Sequence, residues 1–94
     1  MHVRWLRVAL ENLRGEAEYI ARDSPAAATR LVTAISDAIL KLGDYPALGR
    51  PGRVSGTREL IVSGTPYIIP YRVHGDEIEI LRVFHAKRKW PKKF

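Results

Sequence analysis

A chain of 94 residues with 46% hydrophobic and 28% charged residues has the composition of one small globular domain, and 1–94 is read as a single folding unit. With no cysteine it offers no disulfide, thiol nucleophile or thiolate metal site. Its net charge of +6, from 16 Lys and Arg against 10 Asp and Glu, favours polyanionic or acidic partners.

The opening MHVRWLRVAL has Arg4 and Arg7 inside its apolar run and no small-residue cleavage site, so it does not read as a signal peptide. No apolar stretch approaches the roughly 20 residues of a membrane span. A cytoplasmic protein without membrane contact is expected. His2 to Val8 alternates loosely and predicts a short first strand with Trp5 as a core anchor, giving way to helix near Val8 or Ala9. From Ala9 to Arg22 the apolar positions Leu10, Leu13, Ala17 and Ile20 keep helical spacing, with Gly15 as a weak point in the middle.

Asp23-Ser24-Pro25 marks a boundary, with Ser24 placed to cap a second helix and Pro25 at its first position. That helix is predicted from Pro25 to Leu42 on a stripe of Leu31, Ile35, Ile39 and Leu42, with Gly43 ending it. A turn this short makes the helices an antiparallel hairpin. The Gly- and Pro-rich connection from Asp44 to Gly56 is long enough to suggest function. Tyr45 and Leu48 are expected to pin it to the core, leaving Arg50 and Arg53 displayed.

Three β-branched runs follow, TRELIV, PYIIPYRV and EIEILRVF, separated by Ser63-Gly64-Thr65 and His74-Gly75-Asp76. They predict an antiparallel meander with glycine at each hairpin turn. Pro70 cannot donate to a ladder in the middle strand, so a bulge or one missing bond is expected there. Continuous alternation in the last strand would put Ile78, Ile80, Arg82 and Phe84 on one face and Glu77, Glu79, Leu81, Val83 and His85 on the other. A strand apolar on both faces wants cover on both, the second from a partner. The whole is an α+β domain: a short N-terminal strand and an antiparallel helical hairpin packed on an antiparallel sheet with a C-terminal three-stranded meander.

Chemistry is sparse. His2, His74 and His85 lack ligand spacing, and neither a phosphate-binding glycine loop nor any other cofactor motif occurs, so no metal or cofactor is expected. RNA cleavage through a 2′-hydroxyl needs a base, an acid and cations; His85, Glu59 and Tyr71 with Arg50, Arg53, Arg58, Arg72, Arg82, Lys87 and Arg88 contain such groups. Arg58, Arg72 and Arg82 fall in three strands and can line one face as an anion-binding surface extended by Lys87 and Arg88; the other reading lays them over Glu59, Asp76, Glu77 and Glu79. Between Arg82 and Phe94 there are six cations and no acid. Trp90-Pro91 is read as packing this tail back on the sheet.

On Gly49-Arg50-Pro51-Gly52-Arg53, Gly56-Thr57-Arg58-Glu59-Leu60, Pro66-Tyr67-Ile68-Ile69-Pro70-Tyr71-Arg72-Val73 and Glu79-Ile80-Leu81-Arg82-Val83-Phe84-His85-Ala86, the chain resembles the RelE/ParE superfamily of type II toxin–antitoxin toxins. The resemblance implies a small basic toxin neutralised by a cognate antitoxin. RelE-like members are ribosome-dependent mRNA endonucleases with an arginine where this chain has Ile68 and a reactive tyrosine in a C-terminal segment that here has none after Tyr71. The ending Leu81-Arg82-Val83-Phe84-His85 looks closer to ParE-like members, which inhibit DNA gyrase by binding and have no recognised nuclease site. The expectation is therefore a ParE-like gyrase inhibitor that uses Arg58, Arg72, Arg82, Lys87 and Arg88 to bind. The alternatives are a nuclease acting on ribosome-bound mRNA with His85, Arg50, Arg53, Arg82 and Arg88, and a degenerate module that only binds antitoxin or nucleic acid.

Overall fold

The computed structural model describes residues 1–94. Its elements are β1 (His2–Trp5), α1 (Arg7–Ala21), α2 (Pro25–Asp44), β2 (Arg50–Pro51), β3 (Arg58–Ile61), β4 (Tyr67–His74), β5 (Glu77–Ile80) and β6 (Phe84–His85). The sheet order is β1-β5-β4-β3-β2, with β6 also paired to β4. The expected meander is β3-β4-β5, and Gly64 and Gly75 turn its hairpins at positive φ of 78° and 64°. β1 joins β5 in parallel, so the sheet is mixed at that edge.

Several boundaries move. The switch to helix falls at Arg7, two residues before Ala9, because Trp5 already ends its pairing opposite Ile80 and the Leu6 N–H bonds the Ile80 carbonyl at 3.0 Å. Helix α1 runs unbroken through Gly15. Its inward residues are Ala9, Leu13 and Ile20, while Leu10 is half-exposed. Ser24 caps α2 as the sequence indicates, its hydroxyl accepting from the Ala27 N–H at 3.1 Å, and Pro25 opens the helix. Gly43 does not stop α2, which continues to Asp44.

Ile35 and Leu42 are fully buried, and Leu31 and Ile39 nearly so, against Leu60, Val62, Tyr67, Ile69, Tyr71, Ile78, Ile80 and Val83 of the sheet. Each such aliphatic side chain contributes about 1.5–3 kcal/mol through its removal from water. Tyr45 and Leu48 do not pin the long connection, being 66% and 50% exposed. Tyr71 does this instead: its hydroxyl donates to the Pro46 carbonyl at 2.7 Å and accepts from the Gly49 N–H at 2.8 Å. Gly49 lies so close that a Cβ would stand 2.6 Å from Tyr71 Cε1.

The last predicted strand is divided. β5 pairs with β4 through Tyr71↔Ile80, whereas β6 pairs through Ile68↔Phe84. Leu81, Arg82 and Val83 therefore stand opposite only Ile69 and Pro70, which is a β-bulge at the place Pro70 marks. Leu81 N–H still bonds the Pro70 carbonyl at 3.0 Å, and Val83 N–H, without a ladder partner, donates to Asn12 Oδ1 at 3.1 Å. The extra residue reverses the alternation. Val83 and His85 join Ile78 and Ile80 on the helix-covered face, and Phe84 moves to the opposite face with Leu81, Glu79 and Ile68, contrary to the continuous pattern expected.

Candidate target-binding face

The face away from the helices is organised by two buried glutamates. Glu59, 1% exposed, accepts from Arg50 Nη2 at 3.0 Å, Arg53 Nε at 3.0 Å and the Arg53 backbone N–H at 2.8 Å. Glu79 accepts from Arg72 Nε at 2.6 Å and from Arg4, which also reaches Glu77 at 2.9 Å. Burial pushes the Glu59 carboxyl up, and the bonds from Arg53 and Arg50 more than reverse this, holding it below the ordinary carboxylate value. For Glu79 the hydrogen bond from Arg72 comes first and outweighs desolvation, again lowering the value. Arg50 and Arg53 are thus not simply displayed on the loop. They are half-exposed side chains that share one buried carboxylate.

The apolar middle of this face, Ile68, Leu81 and Phe84, is buried. Cover comes from the chain itself where a partner was expected. Trp90 meets Phe84 edge-on at 5.1 Å, Phe94 lies 6.2 Å from the same ring, and Arg53 sits 3.8 Å over the Trp90 ring. This agrees with reading Trp90-Pro91 as a tail packed back on the sheet.

The predicted binding residues do not share one surface. Arg58 lies on the helix-covered side and donates to the Gly49 carbonyl at 2.7 Å, while Arg72 is on the opposite side with Glu79. Arg82, in the bulge, donates to the Leu81 carbonyl at 2.6 Å and lies 5.2 Å over Phe94. Arg88 lies 4.6 Å over Phe84, and Lys87 follows His85 in the same tail. Arg82 and Arg88 come together in a cavity that also takes in Asn12, Lys89, Trp90 and Lys93. Asn12 gave no signal in the sequence: it is an isolated polar residue on a helix, and its role depends on the bulge.

His85 belongs elsewhere. It meets Tyr67 edge-on at 5.7 Å, its Nδ1 accepts from the Lys87 N–H at 3.1 Å, and it lines a cleft of about 590 Å3 with Glu16, Tyr19, Arg30 and Tyr67. Burial, then the adjacent Glu16 carboxylate, raises the Tyr67 hydroxyl above its usual value. Tyr71, similarly raised by burial, is committed to the long connection and faces the core. The nuclease set is therefore split. His85 is on the helix side, Arg50 and Arg53 are bound to Glu59, and Arg82 and Arg88 are laid over Phe94 and Phe84.

A helical hairpin on one face of a mixed sheet, with glutamate-bound arginines and a basic aromatic tail on the other, defines a domain of the RelE/ParE class. The profile described as ParE toxin of type II toxin–antitoxin system, parDE, matches residues 3–90, and the chain belongs to that family. It is 49% identical over 89 residues to Y4kP of Sinorhizobium fredii, designated a candidate toxin, covering 95% of this chain and 92% of that one. Toxin RelE2 of Caulobacter vibrioides is 37% identical over 86 residues, 92% of this chain and 96% of its own. A solved structure described as the chromosomal ParDE TA system from P. aeruginosa superposes with a TM-score of 0.81 at 32% identity, over 90% of this chain and 95% of the other. No helix is long and apolar enough to cross a membrane.

Proposed function

We propose that this protein is the toxin of a type II pair, neutralised by a cognate antitoxin, and that it acts by binding DNA gyrase and stalling it. The observation that carries a binding rather than a cutting mechanism is that His85 lies with Tyr67 on the helix-covered face, whereas Arg50 and Arg53 are held by Glu59 on the opposite face. An acid–base group must reach the same phosphate that the cations stabilise. Arg50 and Arg53 share the single carboxylate of Glu59 at 3.0 Å, and Arg82 and Arg88 are laid over the rings of Phe94 and Phe84. Supercoiling of relaxed plasmid by gyrase, titrated with purified toxin, is expected to fall, and to recover on addition of the antitoxin. Unchanged supercoiling at large molar excess of toxin would sink the gyrase assignment.

One observation favours a second reading. Identity of 37% to Toxin RelE2 supports cleavage of ribosome-bound mRNA. In that case primer extension in a translating extract shows cuts that His85→Ala abolishes. Absence of cuts removes this alternative.

A further inference from the structure

Arg82, Arg88, Lys89 and Lys93 line one cavity of about 470 Å3 at the bulged end of the sheet, and no carboxylate shares it. This is unlike the rest of the face, where Arg4 and Arg72 meet Glu79 and Arg50 and Arg53 meet Glu59. Two of the cavity's cations are positioned by rings, Arg82 over Phe94 at 5.2 Å and Arg88 over Phe84 at 4.6 Å. A guanidinium held over a ring keeps edge N–H groups available for an oxyanion.

The neutral side chains also donate. Asn12 Oδ1 is taken by the Val83 N–H at 3.1 Å, which leaves the amide nitrogen as the group it can offer at the cavity wall. The Trp90 indole N–H, buried and without a partner, belongs to the same lining. A lining whose side chains donate and do not accept fits an oxyanion.

We propose that this cavity is a nucleic-acid phosphate site, holding one phosphodiester of a strand whose neighbouring phosphates run along Lys87 and Lys92. A lone carboxylate would satisfy a few of the cavity donors. A phosphodiester within a regular chain of charges satisfies the cavity and the acid-free tail together. The proposal rests on the gyrase reading only for its setting, in which the toxin engages gyrase together with its DNA; the binding itself is measured without gyrase.

The test is fluorescence anisotropy of a labelled oligonucleotide, single-stranded and duplex, with purified toxin at several salt concentrations. Asn12→Asp is the informative variant, because it keeps an oxygen for the Val83 N–H while replacing the amide donor with a negative charge. It is expected to weaken binding roughly tenfold or more. Arg88→Gln should reduce the slope of log affinity against log salt by about 0.7–0.9. Circular dichroism checks the fold; if Asn12→Asp unfolds, Lys93→Gln with Arg88→Gln reads the same cavity from its rim. Wild-type affinity in these variants, or displacement of the oligonucleotide by a short polyglutamate peptide at equal concentration, would overturn the proposal. Gyrase inhibition without oligonucleotide binding overturns it and leaves the functional reading standing. Oligonucleotide binding without gyrase inhibition does the reverse.

Discussion

Glu59 illustrates how a single residue sets the character of the loop beside it. Its carboxylate gathers Arg50, Arg53 and the Arg53 backbone N–H at 3.0, 3.0 and 2.8 Å, so the glycine- and proline-rich connection is tied to the sheet through one buried charge. Glu59→Gln is expected to cost roughly 1–2 kcal/mol in chemical denaturation, at the low end for buried charge partners because both arginines are half-exposed and screened. Because the folded value lies below the ordinary 4.5, the stabilisation is complete above the unfolded pKa and is lost as pH falls through the folded one. Melting temperature measured from about pH 7 down to about pH 3 should fall on the acid side, and less steeply in Glu59→Gln. Tyr71→Phe strips a donor from the Pro46 carbonyl and an acceptor from the Gly49 N–H; a loss of about 1–3 kcal/mol is expected. Such pairings were only partly legible. The nearness of Glu79 to Arg72 is visible in a hairpin, but the match of Arg50 and Arg53 to Glu59 requires knowing that β2 folds back on β3.

At the scale of elements, the start of α2 and the hairpin turns were legible because their signals are local, whereas the start of α1 and the end of α2 were not. Ser24-Pro25 capped α2, and Gly64 and Gly75 turned the meander, each through a backbone requirement carried by the residue itself. Gly15 was read as a weakness in α1, yet the helix is continuous and a Cβ there would meet nothing within 4 Å. Gly15→Ala should therefore stabilise the protein, by up to about 1 kcal/mol in thermal melting. The bulge was foreseen in position, since Pro70 forbids a full ladder, but its consequence was not. Whether an irregular strand keeps or reverses its alternation depends on pairing beyond it, here Ile68↔Phe84. Asn12 was invisible for the same reason. Removing it by Asn12→Ala leaves the Val83 N–H unbonded and is expected to cost about 1–3 kcal/mol, whereas Asn12→Asp retains an acceptor and costs less.

The molecule as a whole is a sheet covered on both faces by its own chain, by helices on one side and by a short aromatic tail on the other. The tail's cover is the less secure: Trp90 and Phe94 rest on Phe84, with Arg53 laid over Trp90. Trp90→Ala is expected to leave the helical signal intact while increasing binding of an apolar dye, because Phe84 loses its cover. An unchanged dye signal would show that the rest of the tail covers the face unaided.

The one-residue bulge between β5 and β6 also bears on how such domains diverge. An insertion of this kind acts as a frame shift in space: every side chain after it changes sides while the fold is kept. Here it sends His85 toward the helices and Phe84 toward the tail. Losing one residue from Leu81-Arg82-Val83 would turn the imidazole to the face of Arg50 and Arg53 in a single genetic event. Length variation at this point is thus a route by which one scaffold exchanges a binding surface for an acid–base one without altering its core.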